Sequence, residues 1–183
     1  MRKTLIFSII TLILLTISCK KPPHYSPVPV IDFLQVTVAD TTDQSELHNP
    51  VVLYQIIFKV FDGDNNLGIP TNDTLNTQDS TKNYNLFFTL LYKHNGQFDT
   101  ANLPISLSYR IPQANYVSIY NYLKATVYVN LTFSPSVLAS MFDTIKFSFY
   151  VMDRDMNKSN IQQTPELPVN FRGTMVDTVT IIH

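Results

Sequence analysis

Two stretches of this chain place oxygen donors at alternating positions directly behind a run of β-forming residues. In "FKVFDGDNNLGIP", residues 58–70, Asp62, Asp64 and Asn66 alternate beside Gly63 and Gly68. In "FYVMDRDMNKSN", residues 149–160, Asp153, Asp155 and Asn157 repeat the spacing. Calcium takes six to eight oxygen ligands, and alternating Asp and Asn on a turning loop can supply several of them. Neither loop is an EF-hand, because Asp73 and Thr164 stand where the twelfth-position glutamate belongs. The competing chemistry is simpler. Asp and Asn are turn formers whose side chains accept hydrogen bonds from nearby backbone N–H groups. Arg154 and Lys158, inside the second loop, also offer to neutralise its carboxylates. The turn is the preferred reading, and a calcium site shared by both loops is the alternative.

Other chemistries lack their residues. His24, His48, His94 and His183 have no spacing that suits zinc, and the single cysteine cannot help them. No serine sits in a G-x-S-x-G turn. There is neither a phosphate loop nor a dinucleotide fingerprint. The formal net charge of -1 gives no basic field for nucleic acid. These absences argue for a protein that is not an enzyme and has no nucleic-acid partner. A second candidate ligand surface is "NYVSIYNYLK", where Tyr116, Tyr120 and Tyr122 crowd one segment. They either stack on a sugar or a partner protein, or cover the second face of "NLFFTLLYK", a strand that is apolar on both sides. The cover is preferred.

The elements that must position these loops are strands. "DTIKFSFYVMD" sets Ile145, Phe147, Phe149 and Val151 on one face, and "KATVYVNLTF" sets Ala125, Val127, Val129, Leu131 and Phe133 on one face. "VVLYQIIFKVF" buries Val52, Tyr54, Ile56, Phe58 and Val60 and turns Gln55 and Lys59 outward. "DFLQVTV" and "DTVTII" add strands near the two ends. Asn95-Gly96 predicts a type I′ hairpin. Gly63, Gly68 and Gly173 mark further turns. One short helix is expected after Ser134, with Pro135 in its first turn. Seven or more short strands with almost no helix predict an all-β, immunoglobulin-like antiparallel β-sandwich. In that topology the strands ahead of the two aspartate loops end at the same pole.

The N-terminus reads as an export signal. Arg2 and Lys3 precede an apolar run from Leu5 to Ile17, too short to span a bilayer comfortably and suited to a signal peptide. The run closes on "LTISC", which resembles a bacterial lipobox. Cleavage before Cys19 would leave that residue lipidated. The expected organisation is a lipoprotein signal peptide over 1–18, a lipidated Cys19 and proline-rich tether over 19–30, and the sandwich over 31–183. Four of the eleven prolines lie in the tether and keep it extended.

The loops "DGDNNLG" and "DRDMNKSNIQQTPEL", together with the lipobox and tether, resemble small uncharacterised Bacteroidota lipoproteins. Those carry a DGDGDIG-type loop and a DRALNKSN-type segment followed by Thr-Pro-Glu, here Thr164, Pro165 and Glu166. Asn65, Asn66 and Leu67 depart from the usual loop and remove a carboxylate and a glycine. The resemblance implies a location and an immunoglobulin-like fold, and no activity. In such bacteria acidic residues after the cysteine accompany export to the surface. Lys20 and Lys21 therefore imply an outer-membrane lipoprotein on the periplasmic side. The function expected is a non-catalytic binding or structural module of the cell envelope, held by lipid on Cys19 and open to a protein or glycan partner. The alternatives are a calcium-stabilised adhesion or glycan-binding domain, or an enzyme with an unrecognised site. No cofactor is expected beyond the calcium of the first alternative.

Overall fold

A computed structural model describes residues 25–70, 80–113, 122–169 and 179–182. Among the described residues ten strands and one α-helix follow in chain order: β1 (Val30–Thr42), β2 (Pro50–Asp62), β3 (Leu86–His94), β4 (Gln97–Thr100), β5 (Ser108–Tyr109), β6 (Leu123–Phe133), α1 (Pro135–Met141), β7 (Thr144–Val151), β8 (Gln162–Gln163), β9 (Leu167–Pro168) and β10 (Val179–Ile182). They form two antiparallel sheets. One has the order β10-β1-β2-β6; the other runs β4-β3-β7-β8, with β5 on β3 and β9 on β7. The fold is an all-β sandwich.

The inner faces are those the alternation assigns. Val52, Tyr54, Ile56, Phe58 and Val60 of β2 are buried, as are Ile145, Phe147, Phe149 and Val151 of β7. Aromatic rings interlock across the gap. Phe149 lies 5.1 Å from Phe58 and 6.4 Å from Phe33, and Phe147 lies 5.3 Å from Tyr54 and 6.0 Å from Phe133. Each fully buried phenylalanine contributes roughly 1.5–3 kcal/mol of apolar transfer free energy. The Tyr54 hydroxyl sits in this core with no hydrogen-bond partner, and burial raises its pKa.

Strict alternation does not carry through β1. Ile31 and Phe33 face inward, and then Val36 and Val38 do. The register shifts between Phe33 and Gln35, where Leu34 forms an extra step against β2. This bulge moves the inward face by one residue and keeps Gln35 and Thr37 out of the core.

The hairpin of β3 and β4 turns on Asn95 (φ 50°) and Gly96 (φ 81°), with His94 opposite Gln97. The helix starts behind Ser134 with Pro135 in its first turn, but the Ser134 side chain makes no capping bond and faces Ser136 Oγ at 3.0 Å instead. β3 is central in its sheet, as expected. Phe87 and Leu91 are half-buried and Thr89 is exposed. Phe87 stacks on Tyr150 of the neighbouring β7 at 5.1 Å, over which Lys158 lies at 3.8 Å.

Packing onto the sandwich begins before residue 31. The Tyr25 ring lies 5.0 Å from Phe61 and 5.2 Å from Tyr122. The end of the proline-rich segment is therefore docked on the domain rather than free of it.

Candidate functional site

The site follows from strand register. The inward face of β2 runs Val52, Tyr54, Ile56, Phe58, Val60, and its next member is Asp62, which is 0 % exposed. The inward face of β7 runs Ile145, Phe147, Phe149, Val151, and its next member is Asp153, 4 % exposed. Two facing sheets thus each aim a carboxylate into the same end of the sandwich. Carboxylate oxygens of Asp62, Asp64 and Asp153 lie within 4.8 Å of one another.

Each loop is also a capped turn. Asp62 Oδ2 accepts from the backbone N–H of Asn66 at 2.8 Å and of Leu67 at 2.9 Å. Asp153 Oδ1 accepts from Asn157 N–H at 2.7 Å, and its Oδ2 from Asn157 Nδ2 at 2.8 Å. Asn65 (φ 59°) and Met156 (φ 67°) take the left-handed conformation that tightens the two turns. The glycines serve another purpose than the expected one: neither Gly63 nor Gly68 has positive φ. They permit close approach. A Cβ on Gly63 would overlap the Ser26 carbonyl, and one on Gly68 would overlap the Gln113 backbone.

The two loops are joined directly. Asn66 Nδ2 donates to Asp64 Oδ2 at 3.1 Å and, across the junction, to Asp155 Oδ2 at 2.9 Å. Arg154 Nε donates to the Asn66 carbonyl at 2.9 Å. Of the six candidate ligands, then, Asp62, Asp64 and Asp153 converge, Asn66 stands beside them, Asp155 is an exposed strut to Asn66, and Asn157 spends its amide on Asp153. The expected neutralisation by the second loop's cations does not occur. Arg154 is committed to a carbonyl and Lys158 to the Tyr150 ring. Asp62 and Asp153 have no cationic partner among the described residues.

Burial pushes the pKa of Asp62 up to about 6, opposed by the Leu67 and Asn66 N–H groups and aided by the neighbouring Asp64 carboxylate. A carboxyl with a raised folded-state pKa holds a proton where the unfolded chain has released it, so stability falls as pH rises through that interval. In chelator, the wild-type chain should gain stability relative to Asp62→Asn on acidification from pH 7 towards the ordinary carboxylate range. Urea midpoints of both proteins across that window measure it, and a constant difference would contradict the burial of an orphaned carboxylate.

Of the segment's three tyrosines, only Tyr122 is described. Tyr122 packs on Phe61, at 5.6 Å, and on Tyr25, not on the second face of β3. Tyr116 and Tyr120 lie outside the described residues, as does Gly173.

Sequence reasoning overlooked the residues that hold the pole together. Asn85 is 3 % exposed. Its Nδ2 donates to Leu67 O at 2.7 Å and Ile111 O at 3.1 Å, and its Oδ1 accepts from Ile111 N–H at 2.6 Å. Asn160 Oδ1 accepts from Ile31 N–H at 2.8 Å and its Nδ2 donates to Ile31 O at 2.8 Å, completing a backbone-like pair with β1. Ser159 Oγ accepts from Val151 N–H at 3.0 Å, and Thr164 Oγ1 from Phe147 N–H at 3.0 Å. Glu166 pairs with Lys93 at 2.9 Å, which holds its carboxyl below the usual range. The polar residues of "DRDMNKSNIQQTPEL" are thus largely spent on scaffolding. A cavity of about 280 Å³ beside the loops is lined by Leu67, Ile69, Tyr84, Asn85, Met152 and Met156 and by the charged Lys82, Asp153 and Arg154. It falls just under the size range of ordinary ligand pockets.

Comparison with protein families, with curated proteins and with solved structures found no match.

Proposed function

We propose that this chain is a lipid-tethered, non-catalytic binding or structural module of the bacterial cell envelope. The observation that carries the tether is the order of residues at the N-terminus: two cations, an apolar run, a small Ser18 and the sole cysteine, Cys19, followed by a proline-rich segment. Support for a non-catalytic role comes from the use of the polar residues. Ser159, Asn160, Thr164 and Asn85 all bond backbone groups. We read the sandwich as immunoglobulin-like, because β1, β2 and β6 share one sheet while β3, β4 and β7 share the other.

The tether also orients the module. Ser26 meets Gly63, so the chain enters the domain at the aspartate pole. The six residue steps from Cys19 to Tyr25 reach at most about 20 Å when extended. A lipid on Cys19 would hold the aspartate pole towards the membrane and turn the Asp43–Asn49 loop and the Asn95-Gly96 hairpin away from it. A protein or glycan partner would meet that outer end. Lys20 and Lys21 favour the periplasmic face of the outer membrane. The test is the intact mass of the mature protein extracted in detergent from its native host. The expected chain starts at Cys19 and carries acyl groups. A mature chain that starts elsewhere, or an unmodified Cys19, would overturn the assignment.

A further inference from the structure

We propose that the junction of the two aspartate loops is a calcium site, ligated by Asp62 Oδ1, Asn66 Oδ1 and the carboxylates of Asp64 and Asp153. The hydrogen bonds within the loops account for only part of the oxygen present. Asp62 spends Oδ2 on two backbone N–H groups, while its Oδ1 is buried with no hydrogen-bond partner. Asn66 is fixed in orientation because its Nδ2 donates to two carboxylates, and its Oδ1 is likewise buried without a donor. An unpaired buried carboxylate oxygen costs stability and is ordinarily matched by a donor, a water or an ion. Asp62 and Asp153 form no ion pair among the described residues: Arg154 is bonded to a carbonyl and Lys158 lies over an aromatic ring.

The donor set selects the ion. It is all oxygen, with neither histidine nor thiolate, which suits a hard cation and not zinc. The three carboxylates have oxygens within 4.8 Å of one another. Ligands at about 2.3–2.6 Å from calcium stand up to roughly 5 Å apart across the ion, whereas across magnesium they stand roughly 4 Å apart. Four side-chain oxygens leave at least two positions for water. Affinity on the order of 0.1–1 mM follows, as in extracellular modules. The loops need little rearrangement, because the capping bonds already hold Asp62 and Asp153 in place. The ion would pin the end of β2 to the end of β7, one strand from each sheet. The inference is independent of lipidation, since every ligand belongs to the sandwich.

The experiment uses the full chain purified in detergent, stripped with chelator and melted by circular dichroism against added calcium or magnesium. Calcium should raise the melting temperature by about 3–6 °C at a tenfold excess over Kd, and magnesium by clearly less. Asp62→Asn and Asp153→Asn should lose the shift. If either fails to fold, Asp64→Asn serves. It should melt near the wild type without metal and bind calcium at least tenfold more weakly in a calorimetric titration. No shift up to about 10 mM calcium, an equal shift with magnesium, or a shift that survives in these variants would overturn the site.

Discussion

Replacing Phe147 or Val129 by aspartate is expected to abolish folding. Phe147 is fully buried between the sheets, 5.3 Å from the Tyr54 ring and 6.0 Å from that of Phe133. Val129 is 7 % exposed on the inner face of β6. Either change puts an unpaired charge into apolar surroundings and removes packing, a cost above about 5 kcal/mol. That is comparable with the whole stability of a small domain, about 5–15 kcal/mol. Thr126 stands on the exposed face of the same β6 strand. Thr126→Asp should cost no more than about 1 kcal/mol. Urea unfolding followed by circular dichroism checks all three, and equal damage from Thr126→Asp would mean that the outer face of β6 is also buried.

Asn85→Ala is expected to be the most damaging polar substitution outside the aspartate loops. It leaves the Leu67 carbonyl and the Ile111 N–H without the Asn85 amide, whereas the Ile111 carbonyl keeps its bond from the Ile69 N–H. Each buried backbone group left unpaired costs about 1–3 kcal/mol, so two such groups predict a loss of roughly 2–6 kcal/mol. Asn130→Ala is the matched control. Asn130 is exposed and accepts one bond from Gln55 at 3.0 Å, and its loss should cost about 0.5 kcal/mol or less. A small effect at Asn85 would mean that water replaces it, and that the segment around Ile111 does not brace the first aspartate loop.

The contrast between these two predictions marks what the sequence makes legible. Phe147 and Val129 could be assigned because sheet geometry is periodic: alternate residues share a face, and the pattern is local. The same rule, carried two residues past the last apolar position, places Asp62 and Asp153 inside. The convergence of the two loops was readable in that way, from register as well as from topology. Leu34 interrupts the pattern in β1, where a bulge changes the inward face without leaving a composition signal. Asn85 and Asn160 were not legible, because their partners are backbone groups far away along the chain. Asn160 meets Ile31 across 129 positions. Tyr122 was misplaced for a related reason. Its partner Tyr25 belongs to a segment whose prolines read as an extended tether outside the sandwich. Gly63 and Gly68 were recognised as necessary, but for backbone rotation, whereas the structure needs the space their missing Cβ leaves for Ser26 and Gln113.

Tyr25 and Ser26 pack at the aspartate pole, so the proposed lipid on Cys19 would hold that pole close to a membrane. The most direct measurement is fractionation of cells that express the wild-type chain or Cys19→Ala. Wild-type protein should sediment with outer membranes and resist protease added to intact cells. Cys19→Ala should be soluble in the periplasm or remain unprocessed. A Cys19→Ala chain that is cleaved correctly and still sediments with membranes would contradict the lipid tether.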